Sequence, residues 1–122
     1  MIRRVRIQDA ADIVAIYNRY IAETTVTFEI EPISVCEMQK RISDIASSFP
    51  YFVYEDEGRV AGYAYVHRWK ERAAYAHTLE TTVYLNPDIR HSGIGTALMQ
   101  HIINECRTQG YKVLIACITA EN

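Results

Sequence analysis

Cysteine is scarce in this 122-residue chain, and Cys36, Cys106 and Cys117 stand far apart in no C-x-x-C spacing. An odd, scattered set excludes a disulfide framework and reads as reduced thiols of a cytosolic protein, each with a buried packing role. Neither charge sign is in excess: 13 Lys and Arg face 15 Asp and Glu, a formal net charge of −2, with no basic run longer than a pair. That balance argues against nucleic acid as the main partner, because gripping a phosphate backbone takes a basic face. It leaves room for a local pocket that holds one small anion. No apolar run approaches the ~20 residues that span a bilayer, and the opening MIRRVRIQDA lacks the apolar stretch of a secretory signal. The four histidines, His67, His77, His91 and His101, show no metal-ligand spacing and read as ordinary residues. What is abundant is apolar side chain, 49% of the chain, ample for the core of one domain spanning residues 1–122.

The patterns along the chain alternate in type. IRRVRI suits a half-buried first strand. Asp9 reads as the cap of a helix whose apolar positions Ile13, Ile16, Tyr17 and Tyr20 recur at three- and four-residue steps. AETTVTFEIEPI, broken at Pro32, reads as an extended loop. Ser34 and Glu37 have capping-box spacing and open a second helix through about Ser48, stopped by Pro50. YFVYEDEGRVAGYAYVHRW reads as a hairpin turning at Asp56-Glu57-Gly58, and AHTLETTVYL as a further strand ended by Asn86-Pro87. From Gly93 the period becomes helical, with Ile94, Leu98, Ile102 and Cys106 on one stripe and Gly110 at the close. YKVLIACI is a continuous apolar run, typical of a strand buried on both faces. The order β-α-α-β-β-β-α-β is that of an α+β or mixed α/β domain around one sheet.

The glycines of IRHSGIGTALM precede a helix, where free N–H groups and the positive dipole end converge on an anion. No Lys follows Gly95, which removes the nucleoside-triphosphate P-loop. Gly93 and Gly95 come late in the chain, away from a first strand, which weakens the dinucleotide loop. The remaining pattern is R-x-x-G-x-G, spelled Arg90 to Gly95, in which amides of Gly93, Gly95 and Thr96 suit a diphosphate. A glycine start packed tightly on the sheet is the bland alternative.

With a strand bearing an acid and then a proline turn ahead of this loop, the chain resembles the GNAT superfamily of N-acetyltransferases. Within it the resemblance is to phosphinothricin and methionine sulfone/sulfoximine acetyltransferases. It rests on YIAETTVTFEIEPIS, on WKERAAYAHTLETTVYLNP, and on IRHSGIGTALMQHI with QGYKVLIACITAEN, which together cover most of the chain. The middle stretch is the specific one, since the superfamily at large shares only the glycine loop. The resemblance implies the GNAT fold, a central mixed, mostly antiparallel sheet flanked by helices. It implies acetyl-CoA as cosubstrate, an amino-acid-like amine as acceptor, no metal, a cytoplasmic location and a homodimer. It also implies that the family continues past Asn122 with a helix and two strands. A chain ending at Asn122 would then show weak or no catalysis and exposed sheet edges that favour self-association.

The same resemblance assigns roles. Acetyl-CoA would lie along Val83, Tyr84 and Leu85, whose backbone pairs with the pantetheine arm, and Asn122 matches an Asn that reaches that arm. Arg90, His91, Ser92, Gly93, Ile94, Gly95 and Thr96 would hold the diphosphate. Glu80 is the general base: a mid-strand carboxylate needs solvent or a polar pocket, and one with raised pKa, acting directly or through a water, suits amine deprotonation. Taken alone, Glu80 is more simply a solvated strand residue or half of a cross-strand ion pair, and it is the family match that reverses this. Lys70, Glu71, Arg72 and Tyr75 match the segment that meets the substrate, with Arg72 the natural fork for a carboxylate or phosphinate. Thr81 and Thr82 would line the same pocket, unless one simply faces the sheet. Phe28 and Glu29 match a lid. With no Ser or Cys nucleophile, the amine attacks the thioester directly. Other acceptors (a protein N-terminus, a polyamine, an aminoglycoside) and a non-catalytic CoA-binding module are the alternatives.

Overall fold

The computed structural model of the chain describes residues 1–23, 31–68, 78–89, 93–110 and 112–118. Strand β1 (Ile2–Arg4) leads through a single 3₁₀ turn (Ile7–Asp9) into helix α1 (Ala10–Glu23), then α2 (Val35–Ala46). The hairpin β2 (Tyr51–Asp56) and β3 (Arg59–Arg68) follows, then β4 (Thr78–Leu85), α3 (Ile94–Thr108) and β5 (Lys112–Ile118). The element order and the mixed α/β class are those expected from the sequence. The five strands lie in the order β1-β2-β3-β4-β5, antiparallel from β1 to β4, with β5 parallel to β4. The side chains of β5, whose apolar run suggests burial on both faces, lie outside the described residues. Among the described residues no helix is long and apolar enough to cross a membrane.

Strand alternation sends side chains to two separate cores. Tyr51, Val53, Tyr63 and Tyr84 meet Ile13, Ile16 and Tyr20 of α1 and Met38 and Ile42 of α2. On the opposite face, Phe52, Ala64, Val66 and Val83 meet Ile94, Leu98, Ile102 and Cys106 of α3. The i, i+4 stripe of α3 is therefore the buried one, as its spacing predicts. Burial, with a smaller push from the Glu105 charge, raises the Cys106 thiol to about 11, which keeps it inert at neutral pH. Cys36 corrects the expectation that every cysteine is buried. It is exposed at the second position of α2, because Met38 and Ile42 define that helix's inward stripe.

The β2–β3 turn is a two-residue loop in which Glu57 (φ 52°) and Gly58 (φ 77°) both take the left-handed region. That is the twist a tight hairpin needs. One cap forms by half. Ser34 Oγ accepts from the Glu37 amide at 3.0 Å, but the Glu37 carboxylate takes Arg41 Nε at 3.0 Å, one turn along. Helix α2 ends at Ala46, two residues early, where Ser48 N and Phe49 N both turn back to the Ile45 carbonyl.

The expected helix cap at Asp9 is also corrected. Its carboxylate closes the 3₁₀ turn by accepting from Arg6 N at 2.7 Å, and the Arg3 guanidinium forks onto it at 2.8 and 2.9 Å. Arg3 Nε meanwhile reaches Glu55 Oε1 at 2.6 Å, so one cation ties β1 to the turn and to β2. Burial pushes the Asp9 carboxyl up, but the Arg3 hydrogen bonds, the Arg6 amide and both positive charges outweigh it and hold the group below its ordinary range. A depressed carboxylate stabilises the fold at neutral pH and loses that contribution as pH falls through its folded pKa. Asp9→Asn is therefore expected to cost about 1–3 kcal/mol at neutral pH and to flatten the loss of stability below about pH 4. Denaturant melts at a series of pH values read both effects, and an unchanged acid limb would remove Asp9 from this role.

Candidate active site

Strand β4 carries Glu80, Thr82 and Tyr84 on one face and Thr81, Val83 and Leu85 on the other, because successive side chains alternate. The ladder with β3 sets His67 opposite Glu80, Tyr65 opposite Thr82 and Tyr63 opposite Tyr84. At one end of this row, Tyr84 is enclosed by α1: Tyr17 and Tyr20 meet it edge-on at 5.5 and 5.2 Å. At the other end stand Glu80 and His67, with side chains 22% and 41% exposed. His67 Nε2 lies 3.0 Å from Glu80 Oε1. A mid-strand carboxylate has thus found both a polar partner and access to solvent.

The ladder between β4 and β5 slips at the same point. Leu79 pairs with Val113 but Glu80 pairs with Ile115, so β5 carries one extra residue beside Glu80. Such bulges bend a strand and re-aim the side chains next to them. Thr82 shares the Glu80 face. Thr81 does not: it points toward the α3 layer, fully buried, and among the described residues its hydroxyl has no hydrogen-bond partner. Of the two threonines, only Thr82 can line a pocket with Glu80.

The far end of β4 is pinned from three sides. Tyr20 Oη donates to the Leu85 carbonyl at 2.8 Å, and Asn86 N donates to the Ala61 carbonyl at 2.8 Å. On β3, a Cβ at Gly62 would lie 2.8 Å from Leu85 Cδ2 and 3.1 Å from the Tyr84 carbonyl oxygen, so only glycine fits this crossing. Val83 pairs with Ile118 of β5, the last of the described β4–β5 pairs. A turn then forms, with Asp88 N on Asn86 Oδ1 and Ile89 N on the Asn86 carbonyl.

Helix α3 begins at Gly93, whose φ of 89° is a left-handed conformation that side-chain-bearing residues rarely adopt. Among the described residues no side chain caps this end, and no acidic residue lies in the first turn. Gly95 sits in that turn against Leu85, to which a Cβ would come within 3.4 Å. The start of a four-turn helix is thereby fixed beside the end of β4, with its leading amides around Ile94, Gly95 and Thr96. This donor set fits a phosphate-bearing group.

The described residues thus bring Glu80, Thr82 and His67 together near the start of β4. They bring Leu85, Gly93, Ile94, Gly95 and Thr96 together near its end, with Val83 and Tyr84 between. Phe28, Glu29, Lys70, Glu71, Arg72, Tyr75, Arg90, His91, Ser92 and Asn122 lie outside the described residues. His67, which its spacing in the sequence marks only as an ordinary histidine, is the neighbour that the ladder sets beside Glu80. The signal that points to it is the β3–β4 register, which local residue spacing does not fix. Among the described residues no group of His, Cys, Asp and Glu would hold a metal ion.

Residues 2–122 match the acetyltransferase (GNAT) domain family. The chain is 36% identical over 121 residues to phosphinothricin N-acetyltransferase of Streptomyces viridochromogenes, covering 99% of this chain and 66% of that protein. It is 32% identical over 123 residues to the L-methionine sulfoximine/L-methionine sulfone acetyltransferase of Pseudomonas aeruginosa, covering 99% of this chain and 72% of that one. Among solved structures, a phosphinothricin acetyltransferase from Sinorhizobium meliloti in complex with AcCoA superposes with a TM-score of 0.88 at 34% identity. That match covers 94% of this chain and 64% of the other. The chain thus spans about two thirds of the length of these relatives.

Proposed function

This chain belongs to the acetyltransferase (GNAT) family, and on that premise we propose that it transfers an acetyl group from acetyl-CoA to the amine of a small amino-acid-like substrate. The observation that carries the proposal is the arrangement along β4. A partly exposed carboxylate at a sheet irregularity lies upstream of the glycine start of α3, with one continuous strand between them. Kinship supports the acceptor class, since relatives on both sides of this reading carry phosphinothricin or methionine sulfone and sulfoximine in their names.

Acetyl-CoA supplies an activated acyl group on a thiol leaving group. The chain's own residues must do the rest. Amides at Gly93, Ile94, Gly95 and Thr96 hold the diphosphate, and the Val83-Tyr84-Leu85 backbone orients the arm that follows it. Glu80 takes the proton of the acceptor ammonium, directly or through one water, so that a neutral amine attacks. Thr82 lines the same face. The amine attacks without an acyl-enzyme, and Cys106 is no rival nucleophile, being fully buried with its thiol pKa raised. Cytoplasmic residence and a homodimeric state belong to the same proposal and are supported by kinship alone.

The test offers acetyl-CoA with four acceptor classes: methionine sulfone and phosphinothricin, a polyamine, an aminoglycoside, and a peptide N-terminus. Free thiol is followed in each. Release with the first class and little with the others is expected. Release only with another class would keep the chemistry and replace the substrate, and silence across the panel would leave a CoA-binding module as the better reading.

A further inference from the structure

His67 is the one described side chain set opposite Glu80 on the β3–β4 ladder, with Nε2 3.0 Å from Oε1. We propose that His67 is a positioning residue for acetyl transfer: its imidazole N–H, bonded to Oε1, holds the Glu80 carboxylate in the rotamer that receives the amine proton. The inference rests on the reading of Glu80 as the base.

Three observations carry it. First, both side chains reach solvent, and an ion pair that is part-exposed contributes little to a fold, so the pairing is weakly explained by stability. Second, the imidazole is held in place by a row of rings. Tyr65 lies 6.0 Å from it along β3 and stacks at 4.9 Å on Tyr51, which is buried in the core beneath α1 and α2. A donor anchored in this way fixes an acceptor more closely than a flexible side chain would. Third, the β4–β5 ladder slips beside Glu80 while the β3–β4 ladder runs unbroken through it, so the register that sets His67 opposite Glu80 is the regular one. The cross-strand partner is thus a restraint that the fold itself places on the carboxylate.

The residue type suits the task. A Lys or Arg in this place would bring a full counter-charge that weakens a carboxylate as a proton acceptor. An imidazole donates an N–H from a short side chain, without the permanent charge of those residues.

The experiment measures kcat and KM with acetyl-CoA and methionine sulfone for the wild type, His67→Phe, His67→Gln, Glu80→Gln and the His67→Phe/Glu80→Gln pair. Phenylalanine keeps a ring on Tyr65 and removes both nitrogens, whereas glutamine keeps an N–H that can reach Oε1. His67→Phe is expected to lower kcat about tenfold, the scale of one hydrogen bond to a charged group, with the KM for acetyl-CoA unchanged. His67→Gln should recover most of that loss, and adding His67→Phe to Glu80→Gln should cost nothing further. Wild-type kcat in His67→Phe, with Glu80→Gln disabled, would overturn the role of His67 and leave Glu80 as the base. Equal losses in Phe and Gln, or a further loss in the pair, would also overturn it. Full activity in Glu80→Gln would instead remove the reading of the base, and this inference with it.

Discussion

Replacing Glu80 by Gln is expected to lower kcat by about 10²–10⁴-fold while leaving acetyl-CoA affinity unchanged, the usual cost of losing a general base. Gln is nearly isosteric and its amide oxygen can still accept from His67, so the sheet and the partner are retained. What disappears is the capacity to take a proton. The split between kcat and affinity follows from the layout of β4. Glu80 lies at the start of the strand beside His67, whereas the amides assigned to the diphosphate lie past its end at the start of α3. Steady-state rates with calorimetric acetyl-CoA titrations separate the two quantities. A parallel loss of affinity would mean that Glu80 shapes the cofactor cleft, and an unchanged rate would move the base elsewhere.

Leu98→Ala is expected to produce the largest loss of stability, about 2–5 kcal/mol. Leu98 is fully buried at the centre of the α3 face, packed with Phe52, Val66, Val83 and Ile102. Its Cδ1 would also lie 3.3 Å from a Cβ at Gly62, so it fills the space at the crossing of β3 and β4. Truncation leaves a void that the glycine opposite cannot fill, and rigid strands on both sides limit collapse. Thermal unfolding should shift down by on the order of 10 °C. A melting curve that overlays the wild type would show that this face repacks freely, against the view that it holds α3 rigidly against β4.

Much of this layout was legible in the sequence, and the reasons differ from residue to residue. The buried stripe of α3 declares itself because Ile94, Leu98, Ile102 and Cys106 repeat at the helical period. Glu80 draws notice because a carboxylate inside an apolar strand needs an explanation, and the family resemblance supplies one. Thr81 and Thr82 were separable only by alternation, which assigns opposite faces but does not say which face the pocket takes. His67 was hidden because its partner is set by a cross-strand register. The β2–β3 bulge between Tyr54 and Glu55 shows how readily such registers shift. Asp9 was read as a helix cap because local spacing allows it, whereas the observed role depends on Arg3 arriving from β1. Cys36 was misplaced because cysteine's general preference for burial is weaker than the stripe of the helix that carries it.

The central claim is that the carboxylate on β4 serves acetyl transfer to an amino-acid-like amine. Mass spectrometry of the small-molecule products after incubation with acetyl-CoA and methionine sulfone or phosphinothricin tests it most directly. The wild type is expected to yield the N-acetylated amino acid, and Glu80→Gln to lose nearly all of it. No N-acetylated product from the wild type, or equal product from both proteins, would contradict it.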